Sequence, residues 1–331
     1  MSFTQPIPVR LNLNLDGFAT YYSALVPTQK FTTEVLVSQV MSSAGTIQNV
    51  GFEISGNPGV GTGWTFTLKK NGVDTAITFT IMNATSGSDT THTVSFSAGD
   101  YFTWKMVPTN FPVGFSLQRA YLEIVTTDKS CMYFNEATYA TTDNVGSVFN
   151  WQMAGNSVAN VPVVAPCAGN FTGVWISQNG GVGNIGSFNF MLNKNGTNQD
   201  GAGGTVNTQC SMSLGSASLT FANASFTLPV SAGDLLYVFA DAVSSPSDSK
   251  SISYCYSFIP TGDGAPVGNN SGATTMTTAA GTEYMDCVSA LINSGMGASQ
   301  LNTLLLCSRP FDVGALYIKC GVAGSTKTRT F

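Results

Sequence analysis

Charge is what this sequence has least of. Asp, Glu, Lys and Arg make up 9% of its 331 residues, against about 25% in an ordinary soluble domain. Thirteen Lys+Arg face eighteen Asp+Glu, a net charge of -5. A groove that neutralises many phosphates needs more cations, so no nucleic-acid partner is expected. His92 is the single histidine, which excludes metal clusters and proton relays built on two imidazoles. No run approaches the roughly 18 apolar residues of a membrane-spanning helix. The strongest, Leu304-Leu305-Leu306-Cys307, has the length of a strand. The opening MSFTQPIPVRLNLNL has neither a basic nor a continuous apolar segment, so no signal peptide is expected.

The seven cysteines, Cys131, Cys167, Cys210, Cys255, Cys287, Cys307 and Cys320, are odd in number, widely spaced and form no CxxC. This speaks against a disulfide framework or a zinc site. Buried free thiols in a chain folded in a reducing cytosol are expected instead. G-x-S-x-G, P-loop and HExxH motifs are missing, and Gly180-Gly181-Val182-Gly183 precedes strands rather than a helix. Asp74, Asp143, Asp241, Asp248 and Asp263 are scattered, with no calcium-loop spacing. No cofactor is expected.

What is present is apolar content, 43%, too much for a disordered chain, and alternation. Trp64-Thr65-Phe66-Thr67-Leu68, Ile77-Thr78-Phe79-Thr80-Ile81, Phe188-Asn189-Phe190-Met191-Leu192 and Leu219-Thr220-Phe221 set large apolar side chains against Thr, Ser or Asn. That is the period of a strand with one buried face. Gly, Asn, Asp and Pro clusters punctuate these runs. The pattern predicts an all-β chain of sandwich or barrel modules.

The modules repeat. Phe52-Glu53-Ile54-Ser55, a Gly-rich loop, and Trp64 to Lys70-Asn71-Gly72 match Val174-Trp175-Ile176-Ser177, a Gly-rich loop, and Phe188 to Lys194-Asn195-Gly196. Asn-Gly after an alternating strand is a strong hairpin signal, because both turn residues need positive φ. Ser97-Ala98-Gly99-Asp100 then matches Ser231-Ala232-Gly233-Asp234 in the same order. A third copy begins: Cys307-Ser308-Arg309-Pro310-Phe311 and Ala315-Leu316-Tyr317-Ile318 echo Cys167-Ala168-Gly169-Asn170-Phe171 and Val174-Trp175-Ile176. No third hairpin or Ser-Ala-Gly-Asp follows. Three explanations stay open: the natural protein continues past Phe331, another subunit supplies the missing strands, or residues 273–331 form a smaller cap. The expected organisation is an extended arm over 1–16, modules over 17–127 and 128–260, a linker over 261–272, and a partial third module or cap over 273–331.

The series of strand, Gly-rich loop, T-F-T-L-x-K-N-G hairpin, Ser/Thr-rich strands and S-A-G-D resembles a jelly-roll module. It is similar to the C1q/tumour-necrosis-factor-like modules of bacteriophage and other viral structural proteins, over Phe52–Phe102 and again over Val174–Val238. The resemblance implies tandem jelly-roll β-sandwiches in a virion component: a capsid, minor capsid, decoration, spike or fibre subunit, often trimeric, made in the host cytoplasm.

Asn71, Gly72, Gly99, Asp100, Asn195, Gly196, Gly233 and Asp234 are expected to be structural turn residues, with Asp capping backbone N–H groups. His92, alternating with Val94 and Phe96, is expected on a strand as a structural or surface residue. Lys69-Lys70 and Lys319, Lys327 and Arg329 are expected on solvated faces. Trp64 and Trp175 are expected in the core, whereas Trp104 and Trp151 are less constrained. The sequons at Asn83, Asn170, Asn195, Asn223 and Asn269 carry little weight in so Asn- and Thr-rich a chain. Leu11, Leu13 and Leu15 form a natural strand to add to a neighbour's sheet edge. A surface of Thr, Asn, Ser and Gly has little self-repulsion and is cheap to bury once hydrogen-bonded. The function expected is therefore non-enzymatic: a virion subunit that assembles with itself, as a trimer or lattice, and with other virion proteins. The alternative is a receptor- or glycan-binding module. Sparse carboxylates argue against a depolymerase.

Overall fold

The computed structural model describes residues 3–139 apart from 28, 35–36 and 113, then 144–146, 163–179, 186–195, 210–214, 219–244 and 250–262. The linker beyond 262, the partial third module, Gly196, Trp151, Asp143, Asp248 and the C-terminal cations lie outside the described residues. The described secondary structure is almost wholly strand, and the all-β sandwich expectation holds.

The first module comprises β1 (Phe3–Leu15), β2 (Tyr21–Ser23), β3 (Gln39–Val40), β4 (Gly45–Ile54), β5 (Gly63–Lys70), β6 (Val73–Met82), β7 (Ser86–Asp89), β8 (Val94–Phe96), β9 (Tyr101–Thr109) and β10 (Phe115–Thr126). One sheet runs β1-β10-β4-β7, with β8 also on β4; the other runs β2-β9-β5-β6, with β3 also on β9. The second module comprises β11 (Cys131–Tyr139), β12 (Asn144–Gly146), β13 (Val163–Val164), β14 (Gly169–Asn179), β15 (Gly186–Lys194), β16 (Cys210–Leu214), β17 (Leu219–Val230), β18 (Leu235–Ser244) and β19 (Lys250–Pro260). Its sheets run β11-β19-β14-β17 and β12-β18-β15-β16, with β13 also on β18. The strand order is the same in both modules. First strand beside last, and hairpin beside return strand, is the double Greek key of a jelly roll.

Alternation explains the layers. In β5, Trp64, Phe66 and Leu68 are buried while Thr65 and Thr67 face outward. Phe52 from the facing sheet packs edge-on against Phe66 at 4.9 Å and Trp104 at 4.8 Å. Such aromatic pairs add about 0.5–1.5 kcal/mol each beyond area burial. Trp104 also donates Nε1–H to the Leu25 carbonyl at 3.1 Å. In the second module Phe188, Phe190, Leu192, Ile176, Tyr254 and Phe258 do the same work.

Residues 3–15 are not a free arm. They pair antiparallel with β10 from Phe3↔Thr126 to Leu15↔Phe115. Ile7, Val9, Leu13 and Leu15 are buried in their own module, and Leu11 lies in the same strand. The alternating leucines are the first strand of this jelly roll rather than one held out to a neighbour. Pro6 and Pro8 fit this outermost position, because proline cannot donate to a further ladder and blunts a sheet edge.

Candidate functional site

The repeated turn is one structure made twice. The β5–β6 hairpin closes with the pair Lys70↔Val73 around Asn71 (φ 50°) and Gly72 (φ 81°). The Asn71 amide donates to Asp100 Oδ1 at 2.7 Å, and its Oδ1 accepts the Tyr101 N–H at 2.9 Å. Asp100 Oδ2 accepts the Ser97 N–H at 2.8 Å and faces the Lys70 ammonium at 2.8 Å. Lys70 Nζ also donates to the Ser95 carbonyl at 3.0 Å. Gly99, at φ 89°, makes the tight corner.

In the second module Asn195 donates to Asp234 Oδ1 at 2.7 Å and accepts the Leu235 N–H at 2.8 Å. Asp234 Oδ2 accepts the Ser231 N–H at 2.8 Å, and Lys194 donates to the Pro229 carbonyl at 3.0 Å. Gly233 has φ 92°. Partial burial pushes both carboxyls up. Lys70, the Ser97 N–H and Asn71 more than offset it at Asp100. The Ser231 N–H, Asn195 and the Lys194 charge do so at Asp234. Both carboxyls are held below the usual range, as anions that lock a hairpin to a turn. The repeated residues clasp the fold.

His92 lies in the loop between β7 and β8, not on a strand. Its Nδ1 meets Asp89 Oδ2 at 2.9 Å. Asp89 also accepts the N–H groups of Thr78, Thr91 and His92 at 3.0–3.2 Å. Burial raises this carboxyl, but the His92 N–H and ring and the Thr91 and Thr78 N–H groups hold it far below the ordinary value. It is a loop anchor. Lys69 is not a solvated cation: it is largely buried, bonded to Glu34 and 3.9 Å from Asp74, which also pairs with Lys105 at 2.9 Å. Among the described residues no group of three or more His, Cys, Asp or Glu is placed to hold a metal ion.

The junction between the modules was not legible in the sequence. Strand β3 and the 97–101 turn of the first module seat on the outer face of the β11-β19-β14-β17 sheet. Gln5 mimics a strand edge: its Nε2 donates to the Met132 carbonyl at 3.1 Å and its Oε1 accepts the Met132 N–H at 2.8 Å. Ser177 and Ser253 hydroxyls both donate to the Ser38 carbonyl, at 3.2 and 3.0 Å. Ser42 Oγ lies 2.7 Å from Ser257 Oγ and 2.9 Å from Cys255 Sγ. Burial pushes the Cys255 thiol up to about 12. Tyr101 stacks on Phe221 at 5.8 Å. Trp175 is not a core residue of its sandwich: its ring covers Gly99, where an added Cβ would sit 2.7 Å from it. These contacts join two faces with Ser, Gln, Cys and aromatic side chains.

A second feature is the loop tip of the first module. Phe18 and Phe111 are 81% and 76% exposed, with rings 6.4 Å apart. Asn110 and Phe111 have φ 53° and 50°, and a bulky residue there is strained. Asn110 Nδ2 bonds the Gly61 carbonyl at 2.7 Å, which brings the loop carrying exposed Val60 alongside.

No protein-family model matches the chain, and no curated protein matches it. Solved structures similar to it include the tandem CBM22 domains at the N-terminus of Paenibacillus barcinonensis Xyn10C, at 12% identity over 68% of this chain and 82% of that one, TM-score 0.23. The Macrobrachium rosenbergii nodavirus matches at 6% identity over 79% and 90%, TM-score 0.23. Broad bean stain virus matches at 10% identity over 81% and 91%, TM-score 0.22.

Proposed function

We propose that this chain is a non-enzymatic structural subunit of a virion, of the C1q/tumour-necrosis-factor-like jelly-roll kind, that assembles with itself and with other virion proteins. The observation that carries the reading is the junction between its modules. There the chain buries two of its own faces against each other through uncharged Ser, Gln and aromatic contacts. A chain with 9% charged residues has little but the same chemistry to offer neighbours. Such faces are desolvated cheaply when each polar group finds a partner. The turn residues that repeat are taken up by the clasp. Electron microscopy of the purified, negatively stained protein tests this: closed particles, sheets or rings of jelly-roll subunits are expected, and a field of dispersed single chains refutes it.

The Phe18–Phe111 tip favours a second reading, a receptor- or glycan-binding module. Paired exposed rings suit stacking on a sugar face. A glycan array probed with the native protein and with Phe18→Ala/Phe111→Ala separates the two. A signal lost in the double variant supports binding, and an array without signal rules it out for the glycans presented.

A further inference from the structure

Exposed apolar side chains gather at one end of the first module. Among the described residues the large ones are Phe18, Val60, Val73, Met82, Phe111 and Phe221. Four of them meet where β5 begins. There Gly63 pairs with Met82 on one side and with Thr109 on the other. Val60 precedes Gly63 in the β4–β5 loop, Phe111 follows Thr109 in the β9–β10 loop, and Phe18 lies 6.4 Å from Phe111. These loops interlock. A Cβ added to Gly17 would run into the Pro112 carbonyl, and one added to Gly56 would sit 2.7 Å from the Phe115 ring. The Ser55 N–H donates to the Ser116 carbonyl at 2.8 Å, and the Ser116 N–H to Ser55 Oγ at 3.0 Å. The tip is therefore built, and it holds Phe111 outward at a backbone angle that costs energy.

We propose that this tip inserts into the interfacial layer of an uncharged lipid bilayer. Three observations select lipid. The first is that polar side chains of the same loops are engaged within the protein. Asn110 bonds the Gly61 carbonyl, Asn57 accepts the Gly59 N–H at 2.8 Å and donates to Asn83 at 3.3 Å, and Thr62 donates to the Pro58 carbonyl. A sugar stacked on the rings also needs polar groups for its hydroxyls, whereas hydrocarbon needs none. The second is charge. Residues 17–20, 55–62 and 109–114 contain no Asp, Glu, Lys or Arg. Asp16, just outside them, is bonded by Tyr21 and by Lys30 at 3.0 Å, so the tip has no charge with which to select a charged headgroup. The third is area. Phe18, Val60 and Phe111 are 81%, 87% and 76% exposed and together present roughly 400 Å². That is about half of the 800 Å² that each partner buries in a stable protein pair. No apolar counterpart of this size stands exposed elsewhere among the described residues: Val73 lies at the far end of the β5–β6 hairpin and Phe221 is stacked on Tyr101. A bilayer interface takes up separate protruding side chains through their apolar area alone.

The test is flotation of the full chain with vesicles of dioleoylphosphatidylcholine, which carry no sugar and no net charge. The protein should float with the vesicles, equally at about 0.1 M and about 1 M salt. Phe18→Ser/Phe111→Ser should weaken the partition at least about tenfold. Val60→Asp, which leaves both rings in place, should weaken it as well. Val73→Ser removes an exposed apolar side chain about 25 Å away along the same hairpin and should leave flotation unchanged. Unaltered tryptophan emission in each variant reports an intact fold. The proposal is overturned if the wild type stays in the dense fraction, if the tip variants float like the wild type, or if flotation requires phosphatidylserine. A glycan-array signal lost in the double variant, with no flotation of the wild type, also overturns it and gives the tip to a sugar.

Discussion

Replacing Asn71 with alanine should remove one whole side of the hairpin clasp. Two hydrogen bonds go: the amide to Asp100 Oδ1 and the Tyr101 N–H to Asn71 Oδ1. The first is charge-assisted, worth roughly 1.5–3 kcal/mol in a sheltered setting, and the second about 1 kcal/mol. Asn71 is exposed, so the lower end of that range applies. Alanine must also hold φ near 50°, which costs about 1 kcal/mol. The expected loss is about 3 kcal/mol, or roughly 10 °C in the melting temperature of a module of this size. Asn71→Gly separates the terms: it relieves the backbone and loses the bonds, so it should fall short of the wild type by about 2 kcal/mol. Asn195→Ala should cost the same as Asn71→Ala, because its contacts match to within 0.1 Å. Urea unfolding followed by tryptophan fluorescence measures all three. If both alanine variants unfold within 0.5 kcal/mol of the wild type, the clasp is not what the repeated residues are for, and their role must be sought in binding.

Three other outcomes are expected. The folded-state value of Asp89 lies well below its ordinary 3.8, so in acid the unfolded chain takes up its proton first. The stabilisation from Asp89 is complete above about pH 5 and drains away as pH falls through 4 toward the folded value; Asp89→Asn should flatten that limb of a melting-temperature profile. Burial pushes the Cys131 and Cys255 thiols up to about 12 and Cys210 up to about 11. At pH 8 these three should resist a thiol reagent in the native protein and react fully in urea, whereas half-buried Cys167 reacts first of the four described cysteines. Phe111→Gly should raise stability by about 1 kcal/mol, because glycine relieves the positive φ of an exposed ring; a loss of stability would mean that Phe111 is held by packing instead.

Local patterns were legible, and pairings distant in sequence were not. The alternation from Trp64 to Leu68 and from Ile77 to Ile81, with Asn71-Gly72 nearby, specifies β5, its turn and β6 from neighbours alone. The order of the repeat fixed two similar modules, but the reason for its residues lay in contacts between segments about 30 residues apart, Asn71 with Asp100 and Tyr101. The leucines of β1 alternate equally well whether their strand joins a neighbour or its own chain. Only the pairing with β10, more than 100 residues on, decides it. Trp175 misled for a related reason: in β14 both faces are covered, one by its own sandwich and the other by the first module, so alternation cannot say which side is the core. Phe111 carries no sequence mark, since the positive φ falls on its bulky side chain and not on the glycine of the same loop, Gly114.

The most direct test of the assembly reading is native mass by light scattering over a concentration series, at about 0.05 M and about 1 M salt. Contacts without ion pairs are insensitive to screening. The account predicts a multiple of 34.6 kDa that persists at both salts. A particle of 34.6 kDa at the highest concentration would contradict self-assembly, and a complex that falls apart in 1 M salt would contradict the uncharged faces on which it rests.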